Sequence, residues 1–568
     1  MTSICQAVLP PIKLQWPLLP LQDALYPEDF AHKTGSLGIS PEKRAKSAAR
    51  PVAEQPPRET AEHVSCPPDH IPCTPGQMRL VEEMSEIFDK YPVAMNTTVM
   101  GGGKTNMTGV LAVKRGLRLA IICPANLLDW WNRFFSENKI DPAFALSYNM
   151  VRGTKGNGVS HQYLRREDGP KGPTFEPETD LLKLLDAGLL LVFDEASCLK
   201  NDVDQFRACL ALLKPIHEAG VSGKSRAVLL SAFPFNEKAH AINFLRLLGQ
   251  AEEDNPGRIL ARAQELNCEE ADKLANKFSP LFIRGEPARA GVAWLEEERH
   301  SFYFEVLLHV VRPLMVRALP ADDIDIAVEK DVANGFYPLL SLKDELELAD
   351  AVRELSRITR YNDKNREVCK QGIGKVTKIL RRVETAMRTL FAHLIRRDLE
   401  SDTPYKVIMC VNYLETLGWL VEQLRDYSPL ILSGGQSTAE RTEAIRLFQN
   451  SPDFRLLLCT PQTGGIGVSL HDSTGEWPRR LYISPNYSIM LTHQITGRVY
   501  RKGTLSTPYI RVVYGIGEAR QCYLVRILDA MARQSANAAA FLDQQSADGV
   551  LFPGQYPADF SSIGDTKF

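Results

Sequence analysis

The chain has 568 residues, of which 44% are hydrophobic and 24% charged, and its formal net charge is −2. A chain of this length is too long for one hydrophobic core, and the composition is that of a globular protein, so we expect two to four domains. The nearly neutral charge excludes a global electrostatic attraction to nucleic acid, and the chain has no run of about 18 apolar residues that could span a membrane.

Residues 1–73 are predicted to form a Pro-rich N-terminal extension. Thirteen of the 36 prolines precede residue 76, and neither a helical nor a strand period persists there. The first 28 residues are rich in Leu, Pro and aromatic side chains, so the alternative to an irregular tail is a docking peptide for a protein partner. The same prolines interrupt the apolar N-terminus, which excludes a signal-peptide pattern.

The eleven cysteines do not suggest a disulfide framework. Their number is odd, and Cys123, Cys410 and Cys459 stand in apolar, strand-like runs. This pattern indicates buried free thiols in a reducing compartment. We therefore expect an intracellular protein of the nucleus or cytoplasm, or of a virion if the chain is viral.

From Thr74 onward, short apolar runs alternate with helical patterns, which is typical of a parallel sheet covered by helices. Residues 74–250 are therefore predicted to form a first α/β lobe, within which 151–179 form an exposed loop. The predicted strands are Val93–Thr98, Arg118–Cys123, Phe144–Tyr148, Leu189–Phe193 and Ala227–Ser231.

A Gly-rich turn follows the first of these strands, in the sequence Thr98-Val-Met-Gly-Gly-Gly-Lys-Thr105. Gly101, Gly102 and Gly103 would let backbone N–H groups close around phosphate oxygens at the start of a helix. Lys104 would then reach the β- and γ-phosphates of ATP, and the Thr105 hydroxyl would ligate Mg²⁺. The first glycine of the usual phosphate loop is replaced by Thr98.

A pair of carboxylates follows a later apolar run, in the sequence Leu189-Leu-Leu-Val-Phe-Asp-Glu-Ala196. Asp194 would hold the same Mg²⁺ ion, and Glu195 would orient and deprotonate an attacking water. Either motif alone is common in surface turns. Their order, each behind a strand-like run, favours a nucleoside triphosphatase that uses ATP and Mg²⁺.

The second half of the chain repeats the α/β pattern. Residues 251–400 are mostly helical in period and are predicted as a helical insertion or linker, 401–516 as a second lobe, and 517–568 as a C-terminal helix and tail. The predicted strands of the second lobe are Lys406–Val411, Leu430–Leu432, Arg455–Cys459, Arg480–Ile483 and Ile510–Tyr514.

Two arginines near the end of the second lobe suit ATP hydrolysis by a two-lobed motor. They belong to the sequence His493-Gln-Ile-Thr-Gly-Arg-Val-Tyr-Arg501 and would share one face if this segment is helical. Arg501 would be the finger that stabilises transition-state charge, with Arg498 beside it at the phosphates. A solvated basic helix face is the alternative.

These motifs resemble those of superfamily-two helicases, and most closely those of the Swi/Snf-type DNA-dependent ATPases, including compact viral or plasmid members. Asp194-Glu-Ala-Ser-Cys-Leu-Lys-Asn201 is similar to the family's DEAH-x-Leu-Lys-Asn segment, and the resemblance extends in family order from about Thr74 to Tyr514. Five further segments carry it, namely Ile121-Ile-Cys-Pro-Ala-Asn-Leu-Leu-Asp-Trp130, Leu230-Ser-Ala-Phe-Pro-Phe-Asn236, Arg312-Pro-Leu-Met-Val-Arg317, Ser433-Gly-Gly435 with Arg441 and Phe448, and Thr463-Gly-Gly-Ile-Gly-Val-Ser-Leu470.

The resemblance implies two RecA-like parallel-sheet lobes in tandem and an ATP-driven translocase or helicase. By the same resemblance, Gln77 reads adenine, Gly467 contributes to the nucleotide site, and Gln494 belongs to the catalytic set. The implied contacts with nucleic acid are Pro124, Ser147, Asn412 and Gly434, which would grip phosphates without reading sequence.

Two departures from the family pattern concern the coupling of ATP hydrolysis to movement. Ser197 replaces a histidine and Phe233 replaces a threonine, and a phenylalanine can neither donate nor accept a hydrogen bond. Hydrolysis is therefore a firmer expectation than strand separation. DNA is the favoured polymer, and the alternatives are an RNA helicase or a nucleic-acid-binding scaffold whose ATPase has decayed.

Overall fold

The structure is a computed structural model that describes much of the chain from residue 70 to residue 542. The described residues are 70–153, 162–170, 172–234, 236–252, 256–265, 273–274, 277–278, 296–317, 328–362, 369–461, 468–519 and 522–542. Most of the predicted extension 1–73, its predicted contact with a protein partner, and the end of the predicted tail 517–568 lie outside these residues.

Fourteen named strands and fifteen named α-helices build the described chain. The strands are β1 (Val93–Asn96), β2 (Arg118–Cys123), β3 (Phe144–Ser147), β4 (Leu164–Gly169), β5 (Gly172–Pro177), β6 (Leu189–Asp194), β7 (Arg226–Leu230), β8 (Met315–Val316), β9 (Asp331–Pro338), β10 (Lys406–Cys410), β11 (Leu430–Leu432), β12 (Leu456–Cys459), β13 (Arg479–Ile483) and β14 (Tyr509–Ile516). The helices are α1 (Pro75–Phe88), α2 (Lys104–Arg115), α3 (Leu128–Asn138), α4 (Tyr148–Arg152), α5 (Thr179–Ala187), α6 (Asp204–Ala219), α7 (Ala241–Leu247), α8 (Pro256–Glu265), α9 (Glu296–Val311), α10 (Leu342–Asn362), α11 (Cys369–Leu399), α12 (Leu414–Gln423), α13 (Thr438–Asn450), α14 (Ile489–Val499) and α15 (Val525–Leu542).

Two parallel sheets of six strands form the framework of two lobes. The first lobe has the strand order β3-β2-β6-β7-β1-β8, and the second has the order β11-β12-β10-β13-β14-β9. This arrangement confirms the predicted α/β fold with two parallel-sheet lobes in tandem. The ten predicted strands are all present, and their ends differ from the predicted ends by no more than two residues.

Both faces of the first sheet are covered by helices, as its apolar strands require. In β6, Leu190 and Val192 face the cluster that includes residues of α1, α2 and α3. Leu191 and Phe193 face the opposite cluster, which includes residues of α6, α7 and α9. Burial on both sides fixes the register of this strand, and the register places Asp194 at its carboxyl end.

The segment 151–179 is not wholly an exposed loop, as the sequence had suggested. Its described part contains the antiparallel hairpin of β4 and β5, with Leu164 paired to Pro177. Phe175 on this hairpin is only 9% exposed, and the Arg166 guanidinium lies over its ring. Arg166 also forms ion pairs with Asp168 and Asp204, so the hairpin is anchored to α6.

The predicted helical insertion 251–400 also contains strands that complete both sheets. β8 pairs in parallel with β1, and β9 pairs in parallel with β14 over its whole length. The C-terminal half of α11 packs into the core of the second lobe, where Leu390 and Phe391 are fully buried. The described part of this segment therefore belongs largely to the lobes themselves.

Helix α15 connects the second lobe to the first. Near its middle, Gln534 Nε2 donates to Glu237 Oε1 at 3.0 Å and to the Tyr487 carbonyl at 2.8 Å. Asn537 Nδ2 donates to the Asn236 carbonyl at 3.2 Å, and Phe541 is buried in the core of the first lobe. The helix thus holds the two lobes in a fixed arrangement in this structure.

The described residues bear on two expectations, which concern the state of the cysteines and the presence of a membrane-spanning segment. Cys123, Cys410 and Cys459 are buried free thiols, as predicted. Within the described residues, no helix is both long and apolar enough to cross a membrane.

Candidate active site

The Gly-rich turn lies between β1 and α2, at the carboxyl end of the first sheet. Gly101 and Gly103 have φ angles of 73° and 82°, in the left-handed region that glycine adopts without strain. Thr98, which replaces the usual first glycine, is fully buried and donates its backbone N–H to Asn96 Oδ1 at 3.0 Å. The replacement therefore does not affect the two turn positions with a left-handed backbone, because Gly101 and Gly103 occupy them.

Lys104 begins α2 and turns back onto the loop that precedes it. Its Nζ donates to the carbonyls of Thr98 at 2.8 Å and Val99 at 3.2 Å. Burial lowers the pKa of Lys104 to about 8, although the nearby Glu195 and Asp194 oppose this shift. The ammonium is thus desolvated and held by neutral carbonyls, from which it can move to phosphate oxygens.

Gln77 contacts the phosphate loop directly. Its Oε1 accepts from the Thr74 backbone N–H at 2.8 Å in a capping box at the start of α1. Its Nε2 donates to the Gly102 carbonyl at 2.9 Å. A Cβ at Gly103 would lie 2.3 Å from the same nitrogen, so glycine is needed for this close approach. The structure places Gln77 beside the loop, and its reading of adenine stays a prediction.

Asp194 ends β6, and both of its carboxylate oxygens are positioned by hydrogen bonds. Oδ2 accepts from Trp131 Nε1 at 2.9 Å, and Oδ1 accepts from the Glu195 backbone N–H at 2.9 Å. The Asp194 carbonyl accepts from the Tyr148 hydroxyl at 2.9 Å. Burial raises the pKa of Asp194, while the bond from Trp131 and the charge of Lys104 lower it.

Glu195 has a backbone conformation that is costly for a residue with a side chain. Its φ is 51°, in the left-handed region. Strain of this kind costs on the order of 1–3 kcal/mol and is concentrated at functional sites. Burial raises the pKa of Glu195, the charge of Asp194 raises it further, and Lys104 and Arg498 lower it.

The second lobe brings Arg498 and Arg501 to this site, but not on one helical face. Helix α14 ends at Val499, so Arg501 lies beyond it and the predicted shared face is wrong. Burial lowers the pKa of Arg498, and the charges of Glu195 and Asp194 oppose that shift. Arg501 Nη1 donates to Ser469 Oγ at 2.6 Å.

The two lobes touch at the phosphate loop. A Cβ at Gly101 would lie 2.8 Å from the Arg501 Cβ, and a Cβ at Gly497 would lie 2.5 Å from the Met100 sulfur. Glycines on both sides therefore permit the approach. In this structure the arginines of the second lobe stand next to the loop and carboxylates of the first.

The other predicted nucleotide contacts are less fully defined by the structure. Gln494 is buried on α14, and Thr105 follows Lys104 in the first turn of α2. Gly467 lies outside the described residues. The Thr105 hydroxyl and the Asp194 carboxylate are hard oxygen donors, which suits Mg²⁺, an ion that usually takes few protein ligands and keeps several waters.

The four predicted nucleic-acid contacts lie at or within two residues of the carboxyl ends of strands in the two sheets, and their surroundings differ. Pro124 is partly exposed after β2, and Gly434 is exposed after β11. Ser147 is buried, and its Oγ accepts from the Met150 backbone N–H at 3.2 Å as the cap of α4. The Ser147 side chain is therefore already engaged as a helix cap.

Asn412 is positioned by a buried carboxylate that the sequence did not single out. Glu384 on α11 accepts from the backbone N–H of Asn412 at 2.7 Å and from its Nδ2 at 2.9 Å. The same carboxylate accepts from the Tyr413 backbone N–H at 3.0 Å and from Ser484 Oγ at 2.6 Å. Glu384 thus ties together the loops that follow β10 and β13.

Phe233 occupies the interface between the lobes. It is 2% exposed, and its ring centroid lies 5.4 Å from that of His493 on α14. Ser197, the other departure from the family pattern, is also buried. A ring contact therefore joins the lobes where the family has a hydroxyl.

Besides Glu384, sequence reasoning gave no individual role to Trp131, Tyr148 or Arg317, although Arg317 ends one of the segments that carry the resemblance. The motif resemblance pointed to Trp130, but that side chain is 48% exposed, and its buried neighbour Trp131 holds Asp194. Tyr148 supports the same strand end through the Asp194 carbonyl. Arg317 lies beside the phosphate loop, where its Nη1 donates to the Thr97 carbonyl at 3.1 Å.

Comparison with known proteins finds a similar viral protein. The chain is 22% identical over 488 residues to a candidate ATP-dependent RNA helicase of Acanthamoeba polyphaga mimivirus, and the alignment covers 83% of each protein. This relative confirms the resemblance of the sequence to superfamily-two helicases. No family model matches the chain.

Two solved structures of the SWI2/SNF2 ATPase core of Sulfolobus solfataricus are also similar to this chain. The core in complex with dsDNA is 16% identical, with a TM-score of 0.28 and coverage of 85% of this chain and 98% of that one. The core domain alone is 18% identical, with a TM-score of 0.28 and coverage of 80% and 88%.

Proposed function

We propose that the protein is a nucleic-acid-dependent ATPase of superfamily two that converts ATP hydrolysis into movement along DNA. The observation that supports this proposal most strongly is that residues of both lobes come together to form the site. The loop with Lys104 and the carboxylates Asp194 and Glu195 come from one lobe, and Arg498 and Arg501 come from the other. A site divided in this way is complete only when the lobes are together, which is how a motor can link hydrolysis to movement.

Each group in the site has a distinct role. Lys104 leaves the carbonyls of Thr98 and Val99 to bind the β- and γ-phosphates. Glu195, whose pKa is raised by burial, accepts a proton from the attacking water more readily than an exposed glutamate would. Arg498 and Arg501 stabilise the charge that develops on the transferred phosphoryl group.

A magnesium ion fits the donor set of the site. Thr105 and Asp194 would hold it, and when bound it neutralises charge on the phosphates. The part of this chain is to orient Asp194, which Trp131 Nε1 and the Glu195 N–H do in this structure.

Nucleic acid would bind across the carboxyl ends of the two sheets. Pro124 and Ser147 belong to the first lobe, and Asn412 and Gly434 belong to the second. Because both lobes would contact the nucleic acid, a change in the distance between the lobes could move one of them along a strand. Because such contacts address phosphates, binding would not depend on base sequence.

An RNA helicase is the second candidate, because the mimivirus relative is described as acting with RNA. Phosphate tracking serves both polymers, and only contacts to the 2′-hydroxyl would separate them. A decayed scaffold is a weaker alternative. Such a protein would have no need to retain the strained Glu195 backbone or to bury Lys104, Arg498 and Arg501 together.

The test is an ATPase assay without polymer and with duplex DNA, single-stranded DNA, duplex RNA and single-stranded RNA. We expect turnover to be stimulated most by duplex DNA. Strongest stimulation by RNA would support the second candidate. The Glu195→Gln variant is the matched control, because contaminating ATPases would be unaffected by it. Equal turnover by the wild type and this variant would overturn the proposal.

A further inference from the structure

Arg317 lies beside the phosphate loop but comes from a distant part of the chain. It directly follows β8, which pairs with β1 through Met95 to Met315 and Asn96 to Val316. The Thr97 backbone N–H donates to the Val316 carbonyl at 2.9 Å and extends the same ladder. This pairing places the residue after β8 next to the residue after β1, where the phosphate loop starts.

The guanidinium of Arg317 has few partners for a buried cation. Its Nη1 donates to the Thr97 carbonyl at 3.1 Å. Its Nε and Nη2 are buried and have no hydrogen-bond partner among the described residues. Burial lowers the pKa of Arg317 to about 10, and no carboxylate of a described residue offsets that shift.

Arg317 and Lys104 occupy the same small region. Lys104 donates to the carbonyls of Thr98 and Val99, and Arg317 donates to that of Thr97, so two cations share three consecutive carbonyls. Their like charges repel, and Arg317 contributes to lowering the pKa of Lys104. Neutral carbonyls satisfy these cations only in part, and an anion between them would satisfy both.

A structural arginine in the same lobe looks different. Arg226, at the start of β7, is 6% exposed and donates to the carbonyls of four residues. Those bonds spread over all three of its guanidinium nitrogens and compensate its burial. Burying a charge without such partners is costly, so a purely structural role explains Arg226 well and Arg317 poorly.

The charge balance of the whole site points to an anionic ligand. Among the described residues of the site, the four cations Lys104, Arg317, Arg498 and Arg501 face the two carboxylates Asp194 and Glu195, which leaves an excess of two positive charges. Such an excess in a desolvated cleft is unfavourable until an anion with several charges enters it. The Nε and Nη2 atoms of Arg317, which have no hydrogen-bond partner among the described residues, are planar donors that suit phosphate oxygens.

We propose that Arg317 binds the terminal phosphate of ATP from the edge of the first sheet, as a partner of Lys104. The inference rests on the proposed function and deepens it, because it names a group through which the site distinguishes ATP from ADP. Arg317 follows the strand that ends the described part of the first lobe before the chain continues to the second. A bound triphosphate is thereby held by the β8 edge of the sheet as well as by the loop.

The experiment compares Arg317→Met with Arg226→Met in the full-length protein. Methionine keeps an unbranched apolar chain and removes the charge. Affinities for a non-hydrolysable ATP analogue and for ADP are measured by equilibrium titration, and melting temperature is measured without nucleotide. For Arg317→Met we expect the preference for the ATP analogue over ADP to fall on the order of tenfold or more, the usual worth of a hydrogen bond to a charged group. Its melting temperature should stay level or rise, because an uncompensated buried charge has been removed.

Arg226→Met is expected to behave in the opposite way, with a lower melting temperature and an unchanged preference between the two nucleotides. If Arg317→Met instead behaves like Arg226→Met, Arg317 is structural and the proposal is overturned. An equal loss of affinity for both nucleotides overturns the assignment to the terminal phosphate. If Arg317→Met does not fold, Arg317→Lys decides, because its single ammonium should lower the nucleotide preference while the protein stays folded.

The wild-type titration separates this proposal from the proposed function. A wild-type protein that binds neither nucleotide overturns both. A wild-type protein that binds and hydrolyses ATP, together with an Arg317→Met variant of unchanged preference, overturns only the role of Arg317.

Discussion

At the scale of the residue, Glu195 combines the features that a catalytic base requires. A left-handed backbone with φ of 51° turns its side chain away from the course of the strand, and burial beside Asp194 raises its pKa. Burial has the opposite effect on Lys104, because it lowers the pKa of the ammonium. The site thus holds a carboxylate that accepts protons more readily than usual near a lysine that loses its proton more readily than usual.

We expect different defects when these two residues are replaced. In Lys104→Ala, the charge on the β- and γ-phosphates is lost, so ATP affinity and turnover should both fall. In Glu195→Gln, the shape is kept and the base is lost, so ATP should bind normally and persist unhydrolysed. Nucleotide titration and single-turnover hydrolysis measure the two effects. Near-normal turnover in either purified variant would contradict the assignment of the site.

The pKa of Lys104 predicts how ATP affinity depends on pH. Only the protonated ammonium attracts phosphate, and this form is lost as the pH rises through a pKa of about 8, rather than through the usual 10.5. Affinity for a non-hydrolysable ATP analogue should therefore fall above pH 8, by up to about tenfold per pH unit. Titrations from about pH 7 to about pH 9.5 would show it.

The control for this pH dependence is Lys104→Arg. Its guanidinium keeps its charge throughout the same range, so its ATP affinity should change far less. A wild-type affinity that stays constant between those pH values would show that the ammonium is not desolvated as the structure indicates.

The residues that the sequence could predict are those whose spacing is local. Gly101, Gly103, Lys104, Asp194 and Glu195 belong to two short motifs, and the structure brings these motifs together. The supporting residues could not be derived in that way.

Trp131 was missed because Trp130 stands beside it in the sequence, and only the packed face of a helix decides which of the two is buried. Arg317 was recognised only as part of a motif, and its place beside the phosphate loop was missed because its neighbour Thr97 lies 220 residues away along the chain. In both cases a long-range contact decides the position of the side chain, and such a contact cannot be predicted from local spacing in the sequence.

At the scale of the element, strands were predictable where apolar runs were long enough and uninterrupted. β2 and β11 have the predicted bounds. β8 has two residues and offers no period to detect, and β9 contains a glycine and ends at a proline. The β4–β5 hairpin is rich in charge, Gly and Pro, so its composition resembled a loop. β8 and β9 occupy edge positions of the two six-stranded sheets, whereas β4 and β5 pair only with each other.

Helix α14 depends on Gly497 for its approach to the phosphate loop. In Gly497→Ala, the new methyl group would lie 2.5 Å from the Met100 sulfur and 2.8 Å from its Cβ, so the lobes must separate slightly. We expect ATP to bind with little change while turnover falls at least tenfold, because the arginines act mainly in the transition state. Steady-state kinetics and nucleotide titration measure both quantities.

The matched control is Gly418→Ala on helix α12, where an added Cβ meets nothing within 4 Å. That change should leave turnover intact and stabilise its helix slightly. In the Gly497→Ala background, Met100→Ala should recover part of the lost turnover. No recovery would mean that the Met100 side chain beyond its Cβ is not what Gly497 makes room for.

At the scale of the whole molecule, the arrangement of the lobes was beyond the reach of the sequence. The amide of Gln534 bonds to Glu237 across 297 residues, and Asn537 bonds to Asn236 across 301. The sequence of a C-terminal helix does not indicate which distant residues its polar side chains will contact. The sequence did predict two similar lobes, because each lobe is built from local strand and helix periods.

The contact between Phe233 and His493 lies at the lobe interface, where this chain departs from the Swi/Snf-type motif pattern that it otherwise resembles. Phe233 is 2% exposed, belongs to the buried cluster of the second lobe, and follows the last residues of β7 in the first lobe. These surroundings favour packing across the interface over coupling through hydrogen bonds. Replacing a buried phenylalanine by a smaller residue costs on the order of 3 kcal/mol or more.

This interpretation predicts the outcome of restoring the family pattern with Ser197→His and Phe233→Thr. Phe233→Thr alone should lower the melting temperature and turnover, because the lobes lose apolar contact. The double variant should not recover them, and strand displacement per ATP consumed should not rise. Phe233→Leu is the control, since it keeps apolar bulk and should lose much less stability. If a stable double variant instead performs more work per ATP than the single variants predict together, the two positions are coupled, and Phe233 replaces a functional hydroxyl rather than filling space.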